Sequence, residues 1–143
     1  MPYTRIWIHL IWSTKNREAI LKKELRETIF QHITANAKEK RIYLDCINGY
    51  VDHVHTLIGL KADQSIAKVA QLLKGESSHW VNEEKLTPKK FEWQDEYIAV
   101  SVSESAIDKV RVYIGGQEEH HRKKSFSEEY QEFVIKYRFE NEG

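Results

Sequence analysis

Two β-rich runs, Arg41 to Ile47 and Tyr50 to Leu60, are separated by Asn48-Gly49, the dipeptide that best tolerates the positive φ angles of a tight hairpin. An amphipathic helix precedes them. From Lys22 to Lys40 the apolar residues Leu25, Ile29, Ile33 and Ala37 recur every four positions among charged neighbours. A second helix follows, with Asp63 or Ser65 as N-cap and Ile66, Val69, Ala70, Leu73, Ser77, Trp80 and Val81 on one stripe. A hairpin flanked by two one-sided helices restricts the chain to a few layered arrangements.

The outer runs narrow the choice. Ile6, Ile8, Leu10 and Trp12 alternate with Arg5, Trp7, His9 and Ile11, which predicts a strand covered on both faces and therefore central. After a loop signal at Lys85 to Lys90, Phe91 to Val102 resembles a strand, or a bent hairpin broken near Gln94-Asp95-Glu96. The order βαββαβ predicts an α+β, ferredoxin-like split βαβ sandwich, with both helices on one sheet face and the other face free for a site or partner. Gly75 interrupts the second helix at a cost of about 1 kcal/mol relative to Ala, which predicts a close approach there.

Two further helices are expected. Ser105 and Asp108 form a cap and N3 pair for the first, with Ile107, Val110 and Ile114 as its buried stripe and Tyr113 and Gln117 flanking that stripe. Ser125 or Ser127 caps the last, which carries Tyr130, Phe133, Val134 and Tyr137, and Glu140 to Gly143 are expected to fray. At 143 residues and without internal repeats, residues 1–143 are expected to form a single domain.

Twenty-two basic and 22 acidic residues cancel, so any nucleic-acid contact must come from local patches rather than from net charge. No run approaches the ~18 apolar residues of a membrane span, so no membrane partner is expected. The start, Met1-Pro2-Tyr3-Thr4-Arg5, enters a strand pattern without a secretory signal, which predicts a cytoplasmic protein. Cys46, the only cysteine, sits among apolar residues and reads as a core side chain rather than a redox group.

The chemistry lies in two separated motifs. On a strand, His53 and His55 project to one face while Val54 points into the other layer. On a helix, Tyr113 and Gln117 lie one turn apart. Imidazole nitrogen and carboxamide oxygen suit a divalent ion that acts on a phosphodiester as a Lewis acid, with a phenol alongside as nucleophile. Taken alone, a His-x-His strand also fits satisfied structural histidines. A histidine-triad nucleotide hydrolase would need a third alternating histidine where Leu57 stands.

In order, the stretches His9-Leu10-Ile11-Trp12-Ser13-Thr14-Lys15-Asn16-Arg17, Asp52-His53-Val54-His55, Leu73-Lys74-Gly75-Glu76-Ser77-Ser78 and Tyr113-Ile114-Gly115-Gly116-Gln117, running into His120-His121-Arg122, resemble the HUH single-tyrosine transposases. These include the TnpA-like enzymes of insertion sequences and the REP-associated tyrosine transposases. The resemblance spans nearly the whole chain. It implies a Mg²⁺ or Mn²⁺ ion held by His53, His55 and Gln117, and cleavage of single-stranded DNA at stem-loop-bearing ends through a 5′-phosphotyrosine on Tyr113. It also implies a homodimer in which each tyrosine helix acts in trans. A domesticated relative that binds DNA hairpins without cutting is the alternative.

Gly115-Gly116 either loosens the tyrosine helix or ends it. If the helix ends there, Gln117 leaves its position one turn from Tyr113, and Glu118 or His121 becomes a substitute ligand. Beside Arg122-Lys123-Lys124, His120 and His121 read as a solvated basic exit from the helix. Candidate phosphate contacts are Lys15, Arg17, Lys74, Lys85, Lys89, Lys90, Arg122, Lys123 and Lys124. Trp12, Trp80 and Trp93 are available in principle for base stacking, although such aromatics more commonly fill a core or an interface.

Overall fold

The structure, a computed structural model, describes residues 2–139. Strand β1 (Ile6–Thr14) leads through a short turn of helix to α1 (Lys23–Glu39), β2 (Tyr43–Gly49), β3 (His53–Leu60), α2 (Ile66–Glu83) and β4 (Trp93–Val102). Helices α3 (Ile107–Gly115), α4 (Gln117–His121) and α5 (Phe126–Tyr137) follow. The expected βαββαβ order is present. The four strands form one antiparallel sheet in the order β2-β3-β1-β4, with β1 central as its two-sided apolar pattern predicts.

Alternation sorts β1 into two faces. Ile8, Leu10 and Trp12 join Val54, Ile58, Ile29, Ile33, Val69 and Leu73 in the core under α1 and α2. On the opposite face Trp7 and Leu57 pack with Ile107 and Ile114 of α3, and Ile11, Ile98 and Val100 pack with Phe126 of α5. This second face was expected to stand free, but α3 and α5 cover it. The layers therefore run helix, sheet, helix, and His53 and His55 lie inside at 0% exposure.

Several local expectations are corrected. The β2–β3 turn is Tyr50 to Asp52, because Asn48 and Gly49 still pair with His55 and Val54. Gly49 is needed for closeness rather than for positive φ: a Cβ there would sit 2.1 Å from the His53 carbonyl oxygen. The break expected near Gln94-Asp95-Glu96 is a bulge within one strand, since Trp12 pairs with Tyr97 and Thr14 with Trp93. Ser65 and Ser125 cap α2 and α5 through Lys68 N and Glu128 N, whereas no side chain caps α3 and Ser105 instead meets Ser103. The fraying expected of Glu140 to Gly143 lies outside the described residues.

Gly75 has no neighbour near it: a Cβ there meets nothing within 4 Å. Gly75→Ala is therefore expected to raise stability by about 1 kcal/mol in urea unfolding through helix propensity alone. Trp12 and Trp93 are core residues, the latter donating from Nε1 to Ser77 Oγ at 2.9 Å, and Trp80 stacks on His32 at 3.8 Å. Cys46 is half-buried, and burial pushes its thiol up to about 11, which suits an inert side chain. Among the described residues no helix is long and apolar enough to cross a membrane.

Candidate metal centre and nucleophile

Strand β3 presents His53 and His55 on the face toward α3, α4 and α5, as their spacing requires. Each ring is held from behind. His53 Nδ1 lies 2.8 Å from Asp52 Oδ1, and because a carboxylate only accepts, His53 donates through Nδ1–H and turns Nε2 inward. His55 Nδ1 lies 2.8 Å from His9 Nε2, which leaves His55 Nε2 facing the same centre, 3.2 Å from Glu129 Oε1. Pinning the outer nitrogen in this way is how imidazole ligands are oriented toward a cation.

Gln117 arrives by an interrupted helix. Helix α3 does end at Gly115, and α4 begins at Gln117 after a break at Gly116. The amide remains in reach: Gln117 Nε2 donates to the Tyr113 carbonyl at 3.1 Å, which fixes Oε1 inward, 3.1 Å from His53 Nε2. Asn48 stabilises the broken end by donating to the carbonyls of Ile114 at 2.9 Å and Gly115 at 3.2 Å. Glu118 turns away to Arg26 Nη2 at 2.7 Å and is no substitute ligand.

His121 departs most from expectation. Its Nδ1 lies 2.6 Å from the Lys124 carbonyl oxygen, so Nδ1–H donates and Nε2 faces inward, 3.0 Å from Gln117 Oε1. Its side chain is 2% exposed, not a solvated exit. His120 reaches the same place, with Nε2 buried and lacking a hydrogen-bond partner 3.1 Å from Glu129 Oε2. Five of the chain's seven histidines thus surround Glu129, Gln117 and Tyr113.

Tyr113, half-buried on α3, donates its hydroxyl to Glu129 Oε2, and its ring meets His55 and His9 edge-on at 5.6 and 6.1 Å between centroids. The motifs separated by 58 residues in sequence are therefore adjacent within one chain. Burial governs the charges here. It pushes His9 down to about 4, His121 down to about 4 with help from His53, and His55 well below the usual range. The same burial raises Glu129 to about 8, aided by the neighbouring Glu132 and Asp52.

His9, Asp52 and Glu129 were not among the predicted site residues. Glu129 had a signal: Phe126, Glu129, Tyr130 and Phe133 follow the i, i+3, i+4, i+7 spacing of a buried helix face.

The candidate phosphate contacts separate by environment. Lys74 is half-buried and donates to the carbonyls of Gln94 at 2.7 Å and Asp95 at 2.9 Å, so it holds the β4 bulge. Arg17 lies over Phe126 and Tyr130 and donates to Ser127 Oγ at 2.8 Å, anchoring α5. Lys124 is paired with Glu132, and Lys15 lies 3.4 Å from Glu92. Lys123 and Arg122 are exposed, the latter 3.4 Å from Glu119, and Lys85, Lys89 and Lys90 are also exposed. A groove lined by His9, Lys109, Tyr113, Phe133 and Lys136 reaches the tyrosine from solvent.

Known proteins resemble this chain in sequence and fold. The ISDra2 transposase TnpA of Deinococcus radiodurans is 27% identical over 114 residues, covering 76% of this chain and 81% of that one. A crystal structure assigned as a transposase from Deinococcus radiodurans R1 superposes with a TM-score of 0.66 at 25% identity, covering 81% of this chain and 93% of the other. The fold is shared with a REP-associated tyrosine transposase bound to a REP hairpin, at a TM-score of 0.57 and 14% identity over 80% of this chain and 66% of that one. The sequence pattern described as "Transposase IS200 like" matches residues 2–117, which include His53, His55, Tyr113 and Gln117, and the chain belongs to this family of IS200-like transposases.

Proposed function

We propose that the chain cuts and rejoins single-stranded DNA at stem-loop-bearing ends through a 5′-phosphotyrosine on Tyr113, with Mg²⁺ or Mn²⁺ held by His53, His55 and Gln117. The observation that carries this reading is the convergence of His53 Nε2, His55 Nε2 and Gln117 Oε1 beside the Tyr113 hydroxyl. The donor set fits a cation. His53 Nε2 lies 3.1 Å from Gln117 Oε1, with His53 Nδ1–H turned to Asp52 and the Gln117 amide N–H to the Tyr113 carbonyl; in the neutral imidazole both inward atoms carry lone pairs, which a cation between them would satisfy. When bound, the ion supplies Lewis-acid polarisation of a phosphate oxygen.

The protein supplies position and nucleophile. Tyr113 Oη attacks phosphorus, the bond to the 3′ oxygen breaks, and the phenolic proton balances the new 3′-hydroxyl. That hydroxyl later attacks the tyrosyl ester and restores the strand, so no external energy source is needed. Lys109 and Lys136 in the groove leading to Tyr113, with exposed Arg122 and Lys123 nearby in sequence, are the phosphate contacts we favour. The hairpin held by the REP-associated neighbour supports a folded DNA end as substrate.

One observation favours a second reading, a domesticated binder of DNA hairpins: both motif histidines and Gln117 are completely buried, so no phosphate reaches them in this conformation. The test incubates the protein with single-stranded stem-loop oligonucleotides copied from the flanks of its own gene, with Mg²⁺, Mn²⁺ or EDTA, on a denaturing gel. A divalent-dependent covalent band supports strand transfer, whereas hairpin binding without a band under any ion supports the binder.

The homodimer with exchanged tyrosine helices has its own test. In one chain Tyr113 already lies beside its own His55, and we place the tyrosine in cis when DNA is absent. Mixing Tyr113→Phe and His55→Ala chains is expected to yield no adduct if cleavage is also in cis. Recovery of adduct in the mixture, to the level a statistical dimer allows, would establish the trans arrangement.

A further inference from the structure

The stretch matched to the family ends at residue 117, yet two of the groups crowding the histidine pair come from beyond it. His53, His55, His121 and Glu129 each offer a ligand atom, and all four atoms lie within 4.8 Å of one another. His121 and Glu129 are as enclosed as the motif histidines, with side chains 2% and 1% exposed.

Their hydrogen bonding points the same way. His121 repeats the device seen at His53: an acceptor-only partner, here the Lys124 carbonyl, takes Nδ1–H, so Nε2 can only present a lone pair to Gln117 Oε1 at 3.0 Å and Glu129 Oε1 at 3.5 Å. Glu129 Oε1 lies 3.2 Å from His55 Nε2 and 3.6 Å from His53 Nε2. The ring of His121 is further fixed by stacking on Tyr50 at 5.4 Å between centroids. A fold that aims three imidazole nitrogens, an amide oxygen and a carboxylate at one enclosed point has built a cation site larger than a motif of two histidines and a glutamine.

We propose that in the DNA-free protein His121 and Glu129 ligate the cation together with His53 and His55, closing a site of three imidazoles and one carboxylate. This rests on the reading of His53 and His55 as metal ligands. Three nitrogens with one oxygen suit a first-row transition ion such as Zn²⁺, Co²⁺ or Mn²⁺ better than Mg²⁺, which prefers oxygen ligands and retains water. A site filled by protein ligands has no position for substrate, as in structural rather than catalytic centres. Glu129 also accepts the Tyr113 hydroxyl, so a phosphate oxygen that replaces its carboxylate would free the nucleophile in the same event.

The test needs no DNA. Co²⁺ is titrated into the wild-type protein and into Glu129→Gln, His121→Asn and His53→Ala, following visible absorption, with folding checked by circular dichroism. The wild type is expected to show the intense absorption of a four- or five-coordinate ion, and Glu129→Gln and His121→Asn are expected to bind at least about tenfold more weakly with a paler, six-coordinate spectrum. Wild-type affinity and spectrum in both of these variants, with binding lost in His53→Ala, would overturn the proposal and leave the motif reading intact. No Co²⁺ binding by the wild type would overturn both. X-ray absorption of the Co²⁺-loaded wild type serves if a variant fails to fold: three imidazoles are expected, and two imidazoles in an otherwise oxygen shell contradict the proposal.

Discussion

Tyr113→Phe is expected to abolish the covalent protein–DNA adduct, a loss of roughly 10⁴-fold or more in cleavage, while hairpin binding stays within a few-fold. The ring is retained, so its edge-on contacts with His9 and His55 survive. What disappears is the hydroxyl and its hydrogen bond to Glu129. Losing that bond costs about 0.5–1.5 kcal/mol, too little to unfold a domain of this size. Adduct measured on a denaturing gel and binding measured by fluorescence anisotropy separate the two effects. Undiminished adduct in Tyr113→Phe would remove Tyr113 from the chemistry.

The second large effect concerns the histidine pair. His53→Ala or His55→Ala is expected to eliminate both cleavage and the thermal stabilisation given by Mn²⁺. A ligand at 100 times its dissociation constant adds about 2.7 kcal/mol to a protein that binds it only when folded. Without the ion, the substitutions act differently. Each removes a buried ring and leaves a partner, Asp52 or His9, without its bond, but each also relieves the crowding of lone pairs around Glu129 and Gln117. The variants are therefore expected to resemble the wild type in EDTA more closely than in Mn²⁺. A thermal shift with Mn²⁺ that persists in both variants would place the ion elsewhere.

The order of elements, the central place of β1 and the first two helices were legible because their signals are strong periodicities: apolar residues every second position in β1, every third or fourth in α1 and α2. The turn after β2 was misplaced because Gly49 looks like hairpin chemistry. Its actual constraint is the His53 carbonyl four residues on, across the Tyr50–Asp52 turn, a close approach that no residue type in the turn announces. The cover over the second sheet face was missed for a similar reason. The apolar stripe of α3 was read as buried, but between it and Phe126 of α5 the cover is completed by Gln117, His121 and Glu129, polar types whose burial depends on one another.

Within the site, His53, His55, Tyr113 and Gln117 were legible as two motifs, and the fold brings them to one point despite the helix break at Gly116. His121 was misread because Arg122-Lys123-Lys124 beside it is a solvated pattern, while the Lys124 carbonyl that turns its ring inward belongs to the backbone. Lys74, taken as a phosphate contact, serves the β4 bulge instead, since unpaired strand carbonyls need donors and a lysine one layer away can reach them. Among the described residues, Lys109 and Lys136 are the cations lining the groove to Tyr113, and no spacing in the sequence marks them.

The most direct test of the account is to isolate the adduct formed on a stem-loop oligonucleotide, digest the protein and locate the nucleotide by mass spectrometry. The account predicts a 5′-phosphate esterified to Tyr113, with a free 3′-hydroxyl on the released fragment. A nucleotide attached to any other residue, or cleavage that leaves no covalent link, would contradict it.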